Sequence, residues 1–320
     1  MEHADAAWTD ERWTISAHGF RRLGIVTTVL LCVVVVSGGA VRLTGSGLGC
    51  DDWPNCNDTS FIDVSDAHAA IEQVNRLFSA LIGIPVVAMA GLASRVRPPR
   101  AGLLGPSIGV LVTVLGNGVL GGLTVLGDLH PVLVQSHFLL TMASIAFAML
   151  AVRRAGERDD VSVRSPSLRR WFWAVAGLTA AGLVTGTVVT GTGPHAGEED
   201  VRRFGFDISN VARIHSLTVI AAAVAVIGLV VVLGRAGERS RFESVLSTWM
   251  FVALVQGGIG YVQYFNEVPE ALVGAHLAGA TLLWVVTVQL LLDGLGRGAS
   301  ASVRPSGVGG GVDELVAAPD

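Results

Sequence analysis

The chain has 320 residues, 51% of them hydrophobic and 15% charged, with a mean hydropathy of +0.58. Soluble globular domains carry about 25% charged residues, so the composition excludes a soluble globule and points to a membrane protein. The formal net charge of −4 carries little by itself, because the placement of charge around the spans sets orientation; it supplies no basic surface for nucleic acid.

The first apolar run follows Arg21 and Arg22 and continues to about Val41. It is long enough to span and is followed by no small-residue cleavage site, so it reads as a retained helix. Further runs near the roughly 20 residues needed to cross the hydrocarbon layer cover about 68–94, 103–126, 133–152, 171–191, 211–234, 245–265 and 271–292. The predicted fold class is all-α, with eight transmembrane helices.

Arginines cluster before the first run (Arg12, Arg21, Arg22) and after the second, fourth, sixth and eighth: Arg95, Arg97, Arg100; Arg153, Arg154, Arg158, Arg164, Arg169, Arg170; Arg235, Arg239, Arg241; Arg297, Arg304. Short Arg-rich loops stay in the cytoplasm, so both termini are predicted inside. The opposite loops hold mostly acids, including Asp51, Asp52, Asp58, Asp63, Asp66, Asp128, Glu198, Glu199, Asp200, Asp207, Glu267 and Glu270. Arg42, Arg202, Arg203 and Arg213 break the trend on that side.

Sliding the chain by 139 lays His137 on His276, Gly118 on Gly257, Gly121 on Gly260, Leu133 on Leu272 and Val134 on Val273. One further residue of offset lays Asn75 on His215. This predicts two pseudo-repeated four-helix bundles: an N-terminal half over 1–152 with an outer Cys loop at 42–67, a cytoplasmic linker over 153–170, a C-terminal half over 171–293, and a disordered Gly-rich tail over 294–320. The glycines of GNGVLGG (116–122) and QGGIG (256–260) suit close helix contacts in lipid.

Ionisable groups are costly inside an apolar segment. In Asp66 to Arg76, DAHAAIEQVNR, the residues His68, Glu72 and Asn75 fall on one helical stripe. Asn75 or His68, His137, His215 and His276 each lie a turn or two below the outer end of their spans. A single such histidine can simply bond a neighbouring helix; three at matched depth on repeat-related helices argue for axial haem ligands. Zinc fits poorly, with no cysteine or carboxylate cluster at that depth. His215 and His276 form a pair in the second half, whereas His137 faces Asn75, a poor iron ligand, with His68 two turns outward and His130 a further candidate. The asymmetry suggests a resident cofactor in the second half and a substrate in the first. Glu72 is the candidate for proton transfer, against a plain ion pair with Arg76 at i+4. Arg42, Arg76, Arg202, Arg203 and Arg213 stand where haem propionates can be paired, or serve as ordinary interfacial charge. Cys50 and Cys56, six apart in GSGLGCDDWPNC (45–56), are compatible with a disulfide or with two thiols. No CxxCH haem-attachment motif is present.

The strings GSGLGCDDWPNC, IEQVNR, GTGPHAG (191–197) and RIHS (213–216), with His137 and His276 in this order across residues 21–292, resemble the haem A synthase family. The resemblance implies oxidation of the C8 methyl of haem O to the formyl group of haem A for cytochrome oxidase, at the cell membrane. It implies haem b held by His215 and His276, His137 facing substrate haem, Glu72 as the catalytic acid, and a Cys50–Cys56 disulfide. Implied partners are haem O, the farnesyltransferase that makes it, an unidentified electron acceptor and membrane lipid. Many members carry Glu-x-x-His-Arg where this chain has Glu72-Gln73-Val74-Asn75-Arg76, which leaves the first-half site to His68 or to five-coordination. Two other classes fit the repeats less fully. A di-haem b-type electron-transfer cytochrome needs two resident haems and no Glu72. A repeat-built transporter would place its polar residues at the midplane.

Overall fold

A computed structural model describes residues 14–156, 163, 165–198 and 200–296. The expected tail beyond 296, Glu199 and most of the 157–164 segment lie outside the described residues. The elements are α1 (Ala17–Leu43), α2 (Ala67–Leu92), α3 (Leu104–Leu126), α4 (Pro131–Ala155), α5 (Pro166–Thr192), α6 (Ile208–Arg235), α7 (Arg239–Phe265) and α8 (Glu270–Leu295). All eight are long and apolar enough to cross a membrane. At 1.5 Å per residue they run about 35–42 Å, against a hydrocarbon layer of about 30 Å.

The helices begin where local chemistry permits. Ser16, Asp66 and Asp207 cap α1, α2 and α6 by accepting backbone N–H groups of the first turn. Pro131 and Pro166 occupy first-turn positions of α4 and α5, where a missing N–H costs nothing. Helix α1 starts at Ala17 and α5 at Pro166, earlier than their apolar runs begin. Arg21, Arg22, Arg169 and Arg170 are good helix formers whose long stems let a helix continue past the hydrocarbon, so an apolar run measures membrane thickness and underestimates the helix. The expected 153–170 linker is correspondingly shortened, α4 running to Ala155 and α5 starting at Pro166. A two-residue parallel ladder, β1 (Ile15–Ser16) on β2 (Val96–Arg97), ties the start of α1 to the segment after α2; strands this short leave no sequence period.

Helix α3 packs on α4, α5 on α6, α7 on α8, and α1 on α2, α4 and α8. One buried cluster joins α5–α8 around Phe172, Leu229, Trp249 and Leu290, and another joins α1–α4 around Leu31, Val86, Val110 and Ile145. The two groups meet along α4 and α8, where Trp284 Nε1 donates to Met142 O (2.9 Å) and Arg153 pairs with Asp293 (2.6 Å). Outward-facing residues such as Val119 and Ile84 are apolar and exposed, as a lipid-facing surface requires. The α3–α4 and α7–α8 turns both place two consecutive residues in the left-handed region, Asp128–Leu129 and Glu267–Val268.

Candidate functional site

The halves of the helices nearest the α1–α2 loop line a cavity of about 1980 Å³ whose lining includes His137, His215, His276, Asn75, Glu72, Arg76, Arg42, Arg202 and Arg213. It therefore brings together nearly all of the residues singled out from the sequence. His68, His130 and Arg203 are outside the lining; His68 is exposed and its Nδ1 bonds Ser46 Oγ (2.9 Å). Two turns outward, its ring lies over the loop base instead of the cavity, so the expected alternative ligand is not brought to the site. His130 caps α4.

His215 and His276 face each other with ring centroids 6.4 Å apart and planes at 78°. Two imidazoles on opposite sides of one iron, each bonded at about 2.0 Å, place their centroids about 6.3 Å apart. The gap thus matches one iron between them. Thr185 Oγ1 lies 3.2 Å from His215 Nδ1 while its own hydroxyl is directed to the carbonyls of Ala181 and Gly182. With that proton committed, Thr185 accepts from Nδ1–H and leaves the Nε2 lone pair of His215 for a ligand. His276 Nδ1 and His137 Nδ1 are buried with no hydrogen bond of ordinary geometry, the rings lying near backbone groups of Gln256 and Asn117 respectively.

Each imidazole lies on a glycine of a neighbouring helix. A Cβ on Gly186 would stand 3.1 Å from His215 Cε1, one on Gly260 3.2 Å from His276 Cε1, and one on Gly121 3.4 Å from His137 Cε1. Some glycines expected to bring helices together thus make room for rings. At Asn75 the arrangement differs: Ser37 Oγ of α1 donates to Asn75 Oδ1 (2.8 Å). Sliding α1 onto α5 by 148 lays Gly38 on Gly186, Thr44 on Thr192 and Gly45 on Gly193, and so puts Ser37 in the place of Thr185 (185 − 148 = 37). The hydroxyl that meets an imidazole in one half thus meets an amide in the other, and the carbonyl of Asn75 is already occupied.

The backbone carbonyls of the α4 and α8 histidines are also held. Gln256 Nε2 donates to His276 O (2.6 Å). Asn117, with its amide nitrogen toward α4, donates to His137 O (2.9 Å) and accepts from Thr141 Oγ1 (3.2 Å). Sequence reasoning missed Thr185, Ser37, Asn117 and Gln256, since polar residues of this kind in a span read first as helix glue.

Glu72 is buried on α2 and joined to the Cys loop. Its Oε2 accepts from Cys50 N (2.8 Å) and its Oε1 from Arg76 Nε (3.0 Å) and Nη2 (2.7 Å). Arg76 also donates to Asp52 O and Asn55 O (both 3.0 Å) and Cys50 O (3.2 Å). A guanidinium has five N–H donors, and all five are used. Arg76 is therefore a clamp and not the free propionate partner expected. Cys50 and Cys56 are bonded and fully buried against Ala69. Gly49 is required there, because any Cβ would fall 2.3 Å from His68 O.

Arg42 and Arg203 are likewise turned to backbone carbonyls: Arg42 to His195 O and to Thr190 O near the end of α5, Arg203 to Gly193 O and Pro194 O. Arg202 and Arg213 are exposed residues of the cavity lining, next to and at the start of α6. His195, unassigned from the sequence, lines the cavity and bonds Val268 O (2.7 Å), holding a β-branched residue in its left-handed conformation.

Residues 21–288 match the family described as cytochrome oxidase assembly protein, COX15-CtaA. The chain belongs to this family. Among curated relatives it is similar to a protein named Heme A synthase of Symbiobacterium thermophilum, 31% identical over 49% of this chain and 54% of the relative. Proteins of the same name from Bacillus pumilus (30%, over 41% and 43%) and Staphylococcus aureus strain JH9 (25%, over 52% and 57%) are also similar. The alignments thus span about half the length of these relatives.

Proposed function

We propose that this family member is a haem A synthase, oxidising the C8 methyl of haem O to a formyl group for cytochrome oxidase. The observation that carries the reading is the division of labour within one cavity: an imidazole pair at one-iron spacing on α6 and α8, and a lone imidazole with a carboxylate on α4 and α2. His215 and His276 would hold a resident haem b, which supplies one-electron redox chemistry when bound. His137 would face the iron of the substrate haem, in the N-terminal half. Glu72, accepting from Arg76 and Cys50 N, is oriented by donors on both oxygens to take protons leaving the methyl. Arg202 and Arg213 would pair propionates at the outer end. The farnesyltransferase that makes haem O is the partner expected to deliver it, in the cell membrane.

The repeated organisation of α1–α4 and α5–α8 supports this reading through its asymmetry, since only one half carries two histidines at depth. A di-haem cytochrome is disfavoured by Asn75, an amide bonded to Ser37 where the repeat has the imidazole of His215. The test is purified protein in lipid nanodiscs, supplied with haem O and an electron acceptor. Acid-extracted pigment carrying a formyl-haem mass supports the proposal; unchanged haem O refutes it.

A further inference from the structure

The Cys loop carries an aromatic side chain that the reading above leaves without a role. Trp53 is 42% exposed, yet it lines the same cavity as His137 and Glu72. Its indole lies on Gly122 of α3, so close that a Cβ there would fall 2.6 Å from Trp53 Cδ2 and 2.9 Å from Cε2 and Cε3. The neighbouring Gly121 faces His137, placing the seat of the indole one residue from the seat of the imidazole. Arg76 holds the carbonyls of Asp52 and Asn55, bracketing Trp53 on both sides. One guanidinium therefore fixes both Glu72 and the segment that carries the indole.

The second half solves the same position differently. Adding 139 to 122 gives Tyr261, a helix residue that also lines the cavity. There the aromatic is part of α7; in the first half the helix offers glycine and a loop supplies the ring. A wall borne by a loop is released when the Arg76 clamp opens, without moving a span, which suits a site whose occupant enters and leaves. A wall borne by a helix suits a resident group.

We propose that Trp53 is a substrate-contact residue of the first-half lobe, an aromatic wall delivered by the Cys50–Cys56 loop, and that Gly122 is its seat. This rests on the reading that this lobe takes a tetrapyrrole substrate. Porphyrin faces favour aromatic contact, and an indole on the loop adds that contact only when the loop is seated.

The test uses the full chain carrying its own haem, with the Soret spectrum of that haem as the check that each variant is folded. Zinc protoporphyrin IX, redox-inert, is titrated and its fluorescence gives the dissociation constant. Trp53→Ala is expected to weaken binding about tenfold, while Trp53→Phe keeps most of the affinity. Gly122→Val should reproduce Trp53→Ala, and the double variant should bind no more weakly than Trp53→Ala alone, because both remove one contact. Binding that depends on His137 but is unchanged in Trp53→Ala overturns the proposal alone, as does full additivity of the two substitutions. Binding indifferent to His137→Ala overturns the underlying reading of the lobe and the proposal with it.

Discussion

Arg76→Gln is expected to loosen the Cys50–Cys56 loop far more than an ordinary interfacial arginine would. The guanidinium makes five hydrogen bonds, three to the carbonyls of Cys50, Asp52 and Asn55 and two to Glu72. Glutamine can replace one or two. A buried acceptor left unmade costs about 1–3 kcal/mol, and removing one partner of a buried ion pair about 3–5 kcal/mol. The Arg76 side chain is 18% exposed, so water recovers part of this, leaving about 2–4 kcal/mol. At about 1.4 kcal/mol per tenfold, the open loop becomes about 30- to 700-fold more populated. The assay is reduction of the disulfide by a water-soluble phosphine, with maleimide-labelled Cys50 and Cys56 peptides followed by mass spectrometry. Arg76→Lys, which keeps the charge but not the fork, should fall between the two. Reduction of Arg76→Gln at the wild-type rate would refute the clamp.

His276→Ala and His215→Ala should each abolish the b-type spectrum of purified protein; a normal spectrum in either would sink the axial pair. Glu72→Gln should retain that haem but stop haem A formation, and an active variant would reduce Glu72 to a structural partner of Arg76. A thiol count on protein taken from native membranes should find Cys50 and Cys56 bonded and Cys32 free. Asp207 caps α6 with its carboxylate held below the usual range by the Ser209 hydroxyl and the Asn210 N–H. A lowered folded-state pKa contributes stability above the ordinary value that is lost as the pH falls through the folded one. Asp207→Ala should therefore lower the melting temperature at neutral pH and converge with wild type in strong acid.

The spans were legible because an apolar run of membrane length is rarely anything but a span, and His137, His215 and His276 because ionisable groups at depth are rare. These three line one cavity because their helices lie in register with one another. What stayed hidden was relational. Thr185, Ser37, Asn117 and Gln256 act through partners on other helices, and nothing local separates them from residues that merely join two spans. Arg76 and Arg42 look like free cations in sequence, and only the folded loops show that backbone carbonyls have taken their donors. His68 misled for a similar reason, since spacing put it on the right stripe while two turns of rise carried it past the end of the cavity.

The most direct measurement is of pigments extracted from cells that express the chain with and without a supply of haem O. The account predicts haem A when haem O is present, its disappearance in Glu72→Gln, and haem b in both cases. Haem b alone, unchanged by haem O, would contradict it and favour an electron carrier.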